Sequence, residues 1–229
     1  MRKTRKAAAI LTAAAMAAVS AAPVMADEIK DLYDYETQAR EVETWNILHS
    51  QSAADLNVLT NLYDGLVEAD EYGKVVPAIA ESWETEDNGI TWTFHLREGV
   101  KWVDQNGNEK GEVTAQDFLT GLEWILNFHK NDAANTSMPM EMIVGAEDYY
   151  NMTSELDADA GFALTAESPE FADTVGIKAI DDYTLQYTCV SEKPYFDTLG
   201  VKLLYPISQG MIDEIGVDGF KAATPENIW

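Results

Sequence analysis

One stretch of this sequence strongly constrains its local fold: the residues from Trp83 onward read WETEDNGITWTFHLREGVKW. Asn88-Gly89 is a dipeptide that favours a tight two-residue turn, because both positions tolerate positive φ. Alternating runs flank the dipeptide on both sides, and such alternation is typical of strands. The sequence therefore predicts a β-hairpin that turns at Asn88-Gly89.

The second strand of this hairpin carries the apolar side chains on one face. Successive side chains of a strand point to opposite faces, so Trp92, Phe94 and Leu96 share a face. We expect that face to pack in the core. The interleaved bases Arg97 and Lys101 are then predicted to be solvated or paired with nearby carboxylates.

The charge of the chain excludes some partners. Forty acidic and fifteen basic residues among 229 give a formal net charge of -25, while 46% of the residues are hydrophobic. So acidic a chain repels phosphate backbones and anionic membrane surfaces. We therefore expect a soluble monomer with a core of ordinary size that binds no nucleic acid.

Residues 1–26 have the pattern of a secretory signal peptide. MRKTRK supplies four bases, AAAILTAAAMAAVSAA is a short apolar stretch, and VMA places small residues before Asp27. An uncleaved anchor helix is the alternative. No cysteine stands at the exit of the segment, so the usual lipid-anchor attachment point is missing. We expect a protein released into the periplasm or outside the cell.

The remaining pattern mixes hairpins and helices, which predicts a mixed α/β (α+β) fold. Helices are expected in ADLNVLTNLYDGL with Asp55 as its cap, in TAQDFLTGLEWILNFHK after Thr114, in MPMEMIVGAEDYYNM, and in QGMIDEIG up to Gly216. Strands are expected in ETWNILHS and KLLYPIS, and in a second hairpin that turns at Asp181-Asp182. VDQNGNEKGEV is expected to be a polar loop, and the acidic stretch TSELDADAGFALTAESPE a surface insertion or loop.

No catalytic motif stands out. The sequence has no Gly-rich phosphate loop, no paired-histidine zinc motif and no nucleophile elbow. His49, His95 and His129 are scattered, and the single cysteine, Cys189, lies in an alternating run typical of a core strand. With forty acidic residues, neighbouring carboxylates arise by chance. We therefore expect no catalytic residue, no metal and no cofactor.

A larger pattern resembles a known family. LVEADEYGKVVPAIAESWETEDNGITWTFHLREGVKWVDQNGNEKGEVTAQDFLTGLEWIL is similar to the N-terminal lobe of the extracellular solute-binding proteins of family 5, which serve oligopeptide and dipeptide ABC importers. YDGLVE, VGIKAIDDYTLQYT and KPYF are also typical of that family. The motifs recur in order from about Asn57 to the last residue and are specific in combination.

The resemblance implies a two-lobed protein that closes over an extended ligand, and the members of the family are usually more than twice as long. This chain would correspond to a periplasmic-binding-protein-like first lobe, with the second lobe expected to begin soon after Trp229. Residues 27–63 plus 175–229 would form the core part of the first lobe, and residues 64–174 the inserted subdomain. A fragment of this kind would hold half of a cleft.

The resemblance also implies a ligand-facing segment, HSQSAAD, between the first strand and the first helix. Gln51, Ser52 and Ala53 are the first candidates for ligand binding, followed by His49 and Asp55. Their backbone groups could pair with an extended peptide as an added strand does. An ordinary capping loop is the alternative.

A second contact differs from the family pattern. Many members place an aromatic side chain over the ligand after the helix that TAQDF opens, where this chain has NTSMPMEM with Met138 and Met140. Methionine side chains are adaptable and could line a permissive pocket instead.

The expected function is that of a secreted substrate-binding component of an ABC importer, which binds oligopeptides between two lobes and delivers them to a membrane permease. Other solutes in the same fold remain open, among them an oligosaccharide, a nickel complex or haem. A pheromone receptor or a secreted hydrolase that uses a carboxylate pair would be different outcomes.

Overall fold

Strands and helices are mixed along the chain in the computed structural model, which describes residues 41–50, 52–130, 136–201 and 204–229. The strands are β1 (Val67–Ala69), β2 (Val75–Pro77), β3 (Ala80–Thr85), β4 (Thr91–Leu96), β5 (Lys101–Val103), β6 (Glu109–Glu112), β7 (Ile177–Asp181) and β8 (Thr184–Thr188). The helices are α1 (Ala53–Leu59), α2 (Ala115–Leu126), α3 (Ser137–Met142), α4 (Ala146–Ser154), α5 (Ala158–Ala163), α6 (Pro169–Ala172) and α7 (Gln209–Ala222), with a 3-10 helix at Phe196–Val201. This order confirms the predicted mixed α/β class. The predicted signal peptide, residues 1–26, lies outside the described residues.

The predicted hairpin at Asn88-Gly89 is confirmed, and it belongs to a four-stranded antiparallel sheet with the order β3-β4-β8-β7. Asn88 and Gly89 have φ of 52° and 91°, which is the backbone conformation that this dipeptide favours. A Cβ atom on Gly89 would collide with the backbone of Lys193 and Pro194. The turn therefore needs glycine both for its conformation and for the close approach of a distant segment.

The apolar face of β4 lies in the core as expected. Trp92, Phe94 and Leu96 are 4%, 0% and 3% exposed. The ring of Phe94 lies 6.3 Å from that of Trp92 and 6.1 Å, edge to face, from that of Tyr187 on β8. Burying each such side chain contributes roughly 1.5–3 kcal/mol. This aromatic face anchors the sheet.

Two short hairpins complete the strands. β1 pairs with β2 and β5 pairs with β6, both antiparallel. Strand β6 lies within VDQNGNEKGEV, which was predicted as a loop, and β5 ends at its first residue, Val103; the loop is confined to the middle of the stretch. Lys101 on β5 forms an ion pair with Glu112 on β6 at 3.0 Å, in line with the expected pairing of the basic residues in this region.

Helix α2 was predicted after Thr114 and is confirmed. It is buried along most of its length, and Thr114 is its N-cap. Near its end, Glu123 is 2% exposed and accepts hydrogen bonds from Lys130 Nζ at 2.8 Å and from the Tyr149 hydroxyl at 2.8 Å. A buried charge of this kind needs such partners, because isolated it would be strongly unfavourable. The network ties α2 to α4.

Two predictions for the part of the chain after α2 need correction. MPMEMIVGAEDYYNM forms two helices, α3 and α4, because Gly145 lies between them with φ of 69°. A Cβ atom there would meet the carbonyl oxygen of Thr174. The stretch that follows, predicted as a loop, contains the short helices α5 and α6.

The last part of the chain also departs from the prediction. Residues 204–208 of KLLYPIS are buried but form no strand, and Pro206 removes a backbone donor that a central strand would need. Helix α7 does not end at Gly216; it continues to Ala222 across a kink where Gly216 has φ of 74° and ψ of 164°. The kink lets a second helical piece carry Phe220 into the core.

The described residues all belong to one compact unit. Strands β4 and β8 pair although they come from the two predicted parts of the first lobe, 64–174 and 27–63 plus 175–229. That division stays a prediction. Among the described helices, none combines the length and the apolar composition that crossing a bilayer requires.

Candidate functional site

The predicted ligand-facing segment begins in a turn rather than in a strand. Residues 41–50 form bends and turns, so the strand predicted in ETWNILHS is absent from the described residues. Asn46 explains the turn: its Oδ1 accepts a hydrogen bond from the Leu48 N–H at 3.0 Å, and its carbonyl accepts one from the His49 N–H at 3.1 Å. Side-chain bonds of asparagine to nearby backbone compete with strand pairing.

Asn46 also fixes the segment to the far end of the chain. The side chain is 2% exposed, and its Nδ2 donates to the carbonyl of Phe220 in α7 at 3.0 Å. The ring of His49 stands edge to face on the ring of Phe220, with centroids 6.2 Å apart. The kinked end of α7 therefore holds the turn that precedes the candidate residues.

Asp55 lies inside the protein, 1% exposed. Its Oδ1 accepts a hydrogen bond from the Glu43 N–H at 3.1 Å and its Oδ2 accepts one from the Ser50 hydroxyl at 3.1 Å. The Ser50 Oγ in turn accepts from the Ser52 N–H at 3.2 Å. The carboxylate is thus occupied by the segment itself.

Ser52, not Asp55, is the N-cap of α1. The Ser52 hydroxyl oxygen accepts the Ala54 N–H at 3.2 Å, so the predicted cap at Asp55 was wrong by three residues. Ala53, the first residue of α1, is exposed. Gln51 lies outside the described residues. The four other candidates thus have distinct places: Ala53 on the surface, Ser52 and His49 partly exposed, and Asp55 buried.

Ser50 was not among the candidates, yet it occupies a special position. The residue is 6% exposed, and neither its backbone N–H nor its carbonyl makes a hydrogen bond with another described residue. Buried backbone groups are paired in the great majority of cases. Among the described residues only its side chain finds partners, so that a backbone donor and acceptor lie beside Ser52 and Ala53. No sequence signal distinguishes Ser50 from the other serines.

The methionines at the second expected contact are partly buried. Met138 borders a small apolar space with Phe196 and Leu199, and Met140 packs against the core. Residues 131–135, which precede them, lie outside the described residues. The adaptable contact expected of Met138 and Met140 stays a prediction.

A cavity of about 350 Å³ lies beside α1 and β1; we call it the α1 cavity. Its lining includes Leu56, Asn57, Tyr63, Asp64 and Glu68. Partial desolvation raises the pKa of Glu68, and the carboxylate of Asp64 adds to the shift. The cavity therefore disfavours a further negative charge. Sequence reasoning missed it, because the lining also includes Tyr205, which is distant in sequence from α1 and β1.

The described residues show neither a cluster placed to hold a metal ion nor an activated thiol. They contain no group of three or more histidine, cysteine or acidic side chains placed to hold a metal ion. Cys189 is 2% exposed, and burial raises the pKa of its thiol to about 11. A thiol that stays protonated is a poor nucleophile, which agrees with the core position expected for Cys189.

Comparison with known proteins gives consistent relatives. The chain is 33% identical over 197 residues to the oligopeptide-binding protein AliB of Streptococcus pneumoniae, covering 86% of this chain and 27% of AliB. It is 32% identical over 234 residues to the periplasmic oligopeptide-binding protein OppA of Salmonella typhimurium, covering 99% of this chain and 38% of OppA. The chain thus spans roughly a third of the length of these relatives.

Solved structures agree with the sequence relatives. The fold superposes on Haemophilus influenzae OppA in complex with RPPGFSPFR with a TM-score of 0.62 and 27% identity, covering 79% of this chain and 31% of that one. Burkholderia pseudomallei OppA gives a TM-score of 0.63 at 26% identity, over 82% and 32%. The predicted periplasmic-binding-protein-like fold is thereby confirmed.

The family model for the middle part of the bacterial extracellular solute-binding proteins of family 5 matches residues 74–228. That match covers more than half of the chain and confirms the resemblance drawn from its motifs. The chain belongs to the bacterial extracellular solute-binding proteins of family 5.

Proposed function

We propose that this chain is part of the secreted substrate-binding component of an ABC importer, which binds oligopeptides and delivers them to a membrane permease. Two findings support the peptide as ligand. The relatives AliB and OppA are named oligopeptide-binding proteins, and the solved Haemophilus influenzae OppA holds RPPGFSPFR. The binding step needs no bond to be made or broken, so the peptide is released intact.

The observation that carries the proposal is the backbone of Ser50. Its N–H and carbonyl make no hydrogen bond with another described residue, and the exposed Ala53 lies three residues further on. An extended peptide can pair with such groups as an added strand. Main-chain pairing reads the length of a peptide and tolerates different side chains, which suits an importer of mixed peptides. We propose that His49, Ser52 and Ala53 lie beside this contact; Gln51 stays a candidate on the sequence alone.

Bile acids are a second candidate class of ligand, because one relative is named for binding deoxycholate. The chain is 30% identical over 172 residues to YgiS of Escherichia coli, a probable deoxycholate-binding periplasmic protein. Deoxycholate is an anion, however, and the chain carries a formal net charge of -25. The acidic pair Asp64 and Glu68 in the α1 cavity opposes an anion too. Peptides, whose charge can be zero or positive, fit this electrostatic field better.

The first experiment separates these ligands by thermal shift of the complete protein. RPPGFSPFR and alanine peptides of three to nine residues are compared with deoxycholate, maltooligosaccharides and nickel–histidine complexes. A ligand present at a hundred times its Kd stabilises the protein by about 2.7 kcal/mol, so the peptides should raise Tm by several degrees. A shift with the other compounds alone would overturn the peptide proposal.

The second experiment tests the mode of binding. Pentaalanine is compared with pentaalanine N-methylated at one amide at a time, which removes single main-chain donors. At the positions that pair with the segment, the Kd should rise about tenfold, the equivalent of one hydrogen bond. Mass spectrometry should recover each peptide uncleaved; cleavage would favour a hydrolase instead.

A further inference from the structure

Helices α1 and α2 start with the same local pattern. Each has a hydroxyl side chain at the N-cap and an aspartate three residues later: Ser52 with Asp55, and Thr114 with Asp117. In a capping box, the third residue of the helix bonds back to the N–H of the cap residue. α2 follows this rule, since Asp117 Oδ2 accepts the Thr114 N–H at 2.9 Å.

At α1 the aspartate does not bond to its own cap. The Ser52 N–H donates to the Ser50 Oγ at 3.2 Å, and Asp55 uses both carboxylate oxygens on Glu43 and Ser50. The cap is nevertheless complete, because the Ser52 hydroxyl accepts the Ala54 N–H. Asp55 is therefore not needed to start α1, and its contacts lie upstream, in the segment that precedes the helix.

The Ser50 hydroxyl has a fixed direction between its two partners. A hydroxyl has one proton and two lone pairs, and an ionised carboxylate only accepts. Because the Ser50 proton goes to Asp55 Oδ2, the lone pairs of Ser50 Oγ are left for the Ser52 N–H. The carboxylate thus determines which way the Ser50 hydroxyl points, and through it the acceptor that the Ser52 N–H meets.

We propose that Asp55 is a positioning residue for ligand binding, which acts through the Ser50 hydroxyl to hold the backbone of Ser50, Ser52 and Ala53 in its binding conformation and does not itself contact the ligand. The proposal rests on the proposed function, in which this segment pairs with a peptide. Asn46 holds the upstream end of the same turn against Phe220, so the segment is fixed at both ends by buried polar side chains. Its backbone can then meet a ligand without first becoming ordered, which lowers the entropic cost of binding.

The test compares Asp55→Asn with Asp117→Asn in the complete protein. Both changes remove the charge of an aspartate at the third position of a helix with little change of shape, but only Asp55 contacts the segment. The Kd for pentaalanine and for RPPGFSPFR is measured by calorimetry at a temperature at which wild type and both variants are fully folded. We expect Asp55→Asn to raise the Kd about tenfold or more, the equivalent of a hydrogen bond to a charged group, and Asp117→Asn to leave it within about twofold.

A second readout follows the amide protons of Ser52 and Ala54 by hydrogen exchange. Loss of overall stability accelerates both amides together, whereas loss of positioning accelerates Ser52 and leaves Ala54, which Ser52 itself caps, nearly unchanged. We expect the selective result in Asp55→Asn.

The failures are distinguishable. Wild-type protein that binds neither peptide contradicts the proposed function. Wild-type protein that binds while Asp55→Asn keeps its Kd, or exchanges Ser52 at the wild-type rate, contradicts the positioning role alone.

Discussion

The starts of α1 and α2 allow a direct comparison within one molecule. Asp117 bonds to the cap of its own helix and to the indole Nε1 of Trp102, at 3.2 Å. Asp55 instead bonds to the Glu43 N–H, twelve residues upstream, and to Ser50. The same local pattern is used in α2 to begin a helix and in α1 to hold the segment before it. A capping pattern thus predicts where a helix starts, but not which donors its carboxylate serves.

The largest expected effect comes from Asp55→Ala. It removes the acceptor of two hydrogen bonds at a site that is 1% exposed and deprives the buried Ser50 hydroxyl of its acceptor. We expect a loss of about 3 kcal/mol in the free energy of unfolding, measured by urea denaturation. A cost no greater than that of Asp117→Ala would contradict the contrast between the two helix starts.

Asp117→Ala should cost less, about 1.5 kcal/mol. The carboxylate is only partly buried. Water can therefore accept part of the hydrogen bonding that the Trp102 indole N–H and the Thr114 N–H lose. The same urea experiment measures it, and far-UV circular dichroism checks that α2 remains helical. A loss of peptide affinity in this variant as large as that in Asp55→Asn would contradict the different roles of the two aspartates.

Ser50→Ala removes the hydroxyl that links the Asp55 carboxylate to the Ser52 N–H. Asp55 loses one donor and the Ser52 N–H loses its acceptor, so we expect a loss of about 1 kcal/mol. In a double-mutant cycle with Asp55→Asn the two losses should fall short of additivity by at least about 0.5 kcal/mol. Additive effects would mean that Ser50 and Asp55 act independently.

The smallest effect concerns a carboxylate just before α2 and depends on pH. Hydrogen bonds from the Tyr183 hydroxyl, Lys101 and the Gly99 N–H lower the pKa of Glu112 from 4.5 to about 2. A lowered pKa means that Glu112 stabilises the folded state above pH 4.5 and that this contribution is lost as the pH falls towards 2. The Tm difference between wild type and Glu112→Gln should therefore be largest above pH 5 and shrink on acidification.

Asp117 provides the contrast to Glu112 at the same helix start. Burial raises its pKa, although the Thr114 and Trp102 donors oppose the shift. Carboxyl carbon titrations by NMR should find Asp117 above the usual range of an aspartate and Glu112 well below that of a glutamate. Equal midpoints would contradict the different surroundings of the two side chains.

The sequence predicted the parts of the fold that local pattern determines. Trp92, Phe94 and Leu96 alternate with polar residues, so their shared face could be assigned without a structure, and Asn88-Gly89 specified the turn. Helix α2 was equally clear, because Thr114 precedes a long apolar stripe. In these elements the residues that determine the backbone conformation lie close in sequence to the residues that adopt it.

The secondary-structure predictions were wrong where a contact with a residue distant in sequence determines the local conformation. ETWNILHS has the alternation of a strand, but Asn46 turns the chain and bonds to Phe220, 174 residues away. MPMEMIVGAEDYYNM has helical composition, but Gly145 packs against the backbone of Thr174. At the site, Asp55 was expected to cap α1, but its carboxylate accepts hydrogen bonds from Glu43 and Ser50, upstream of the helix, and Ser52 is the cap.

The two outer strands of the four-stranded sheet have a consequence for aggregation. Within the described residues, β3 and β7 are the edges, and each contains a register irregularity, between Ala80 and Ser82 and between Ala179 and Asp181. Exposed charged side chains line both edges: Glu81, Glu84, Lys178 and Asp181. Bulges and charges hinder the docking of a foreign strand. Both features disfavour the pairing of β3 or β7 with an edge strand of a second copy.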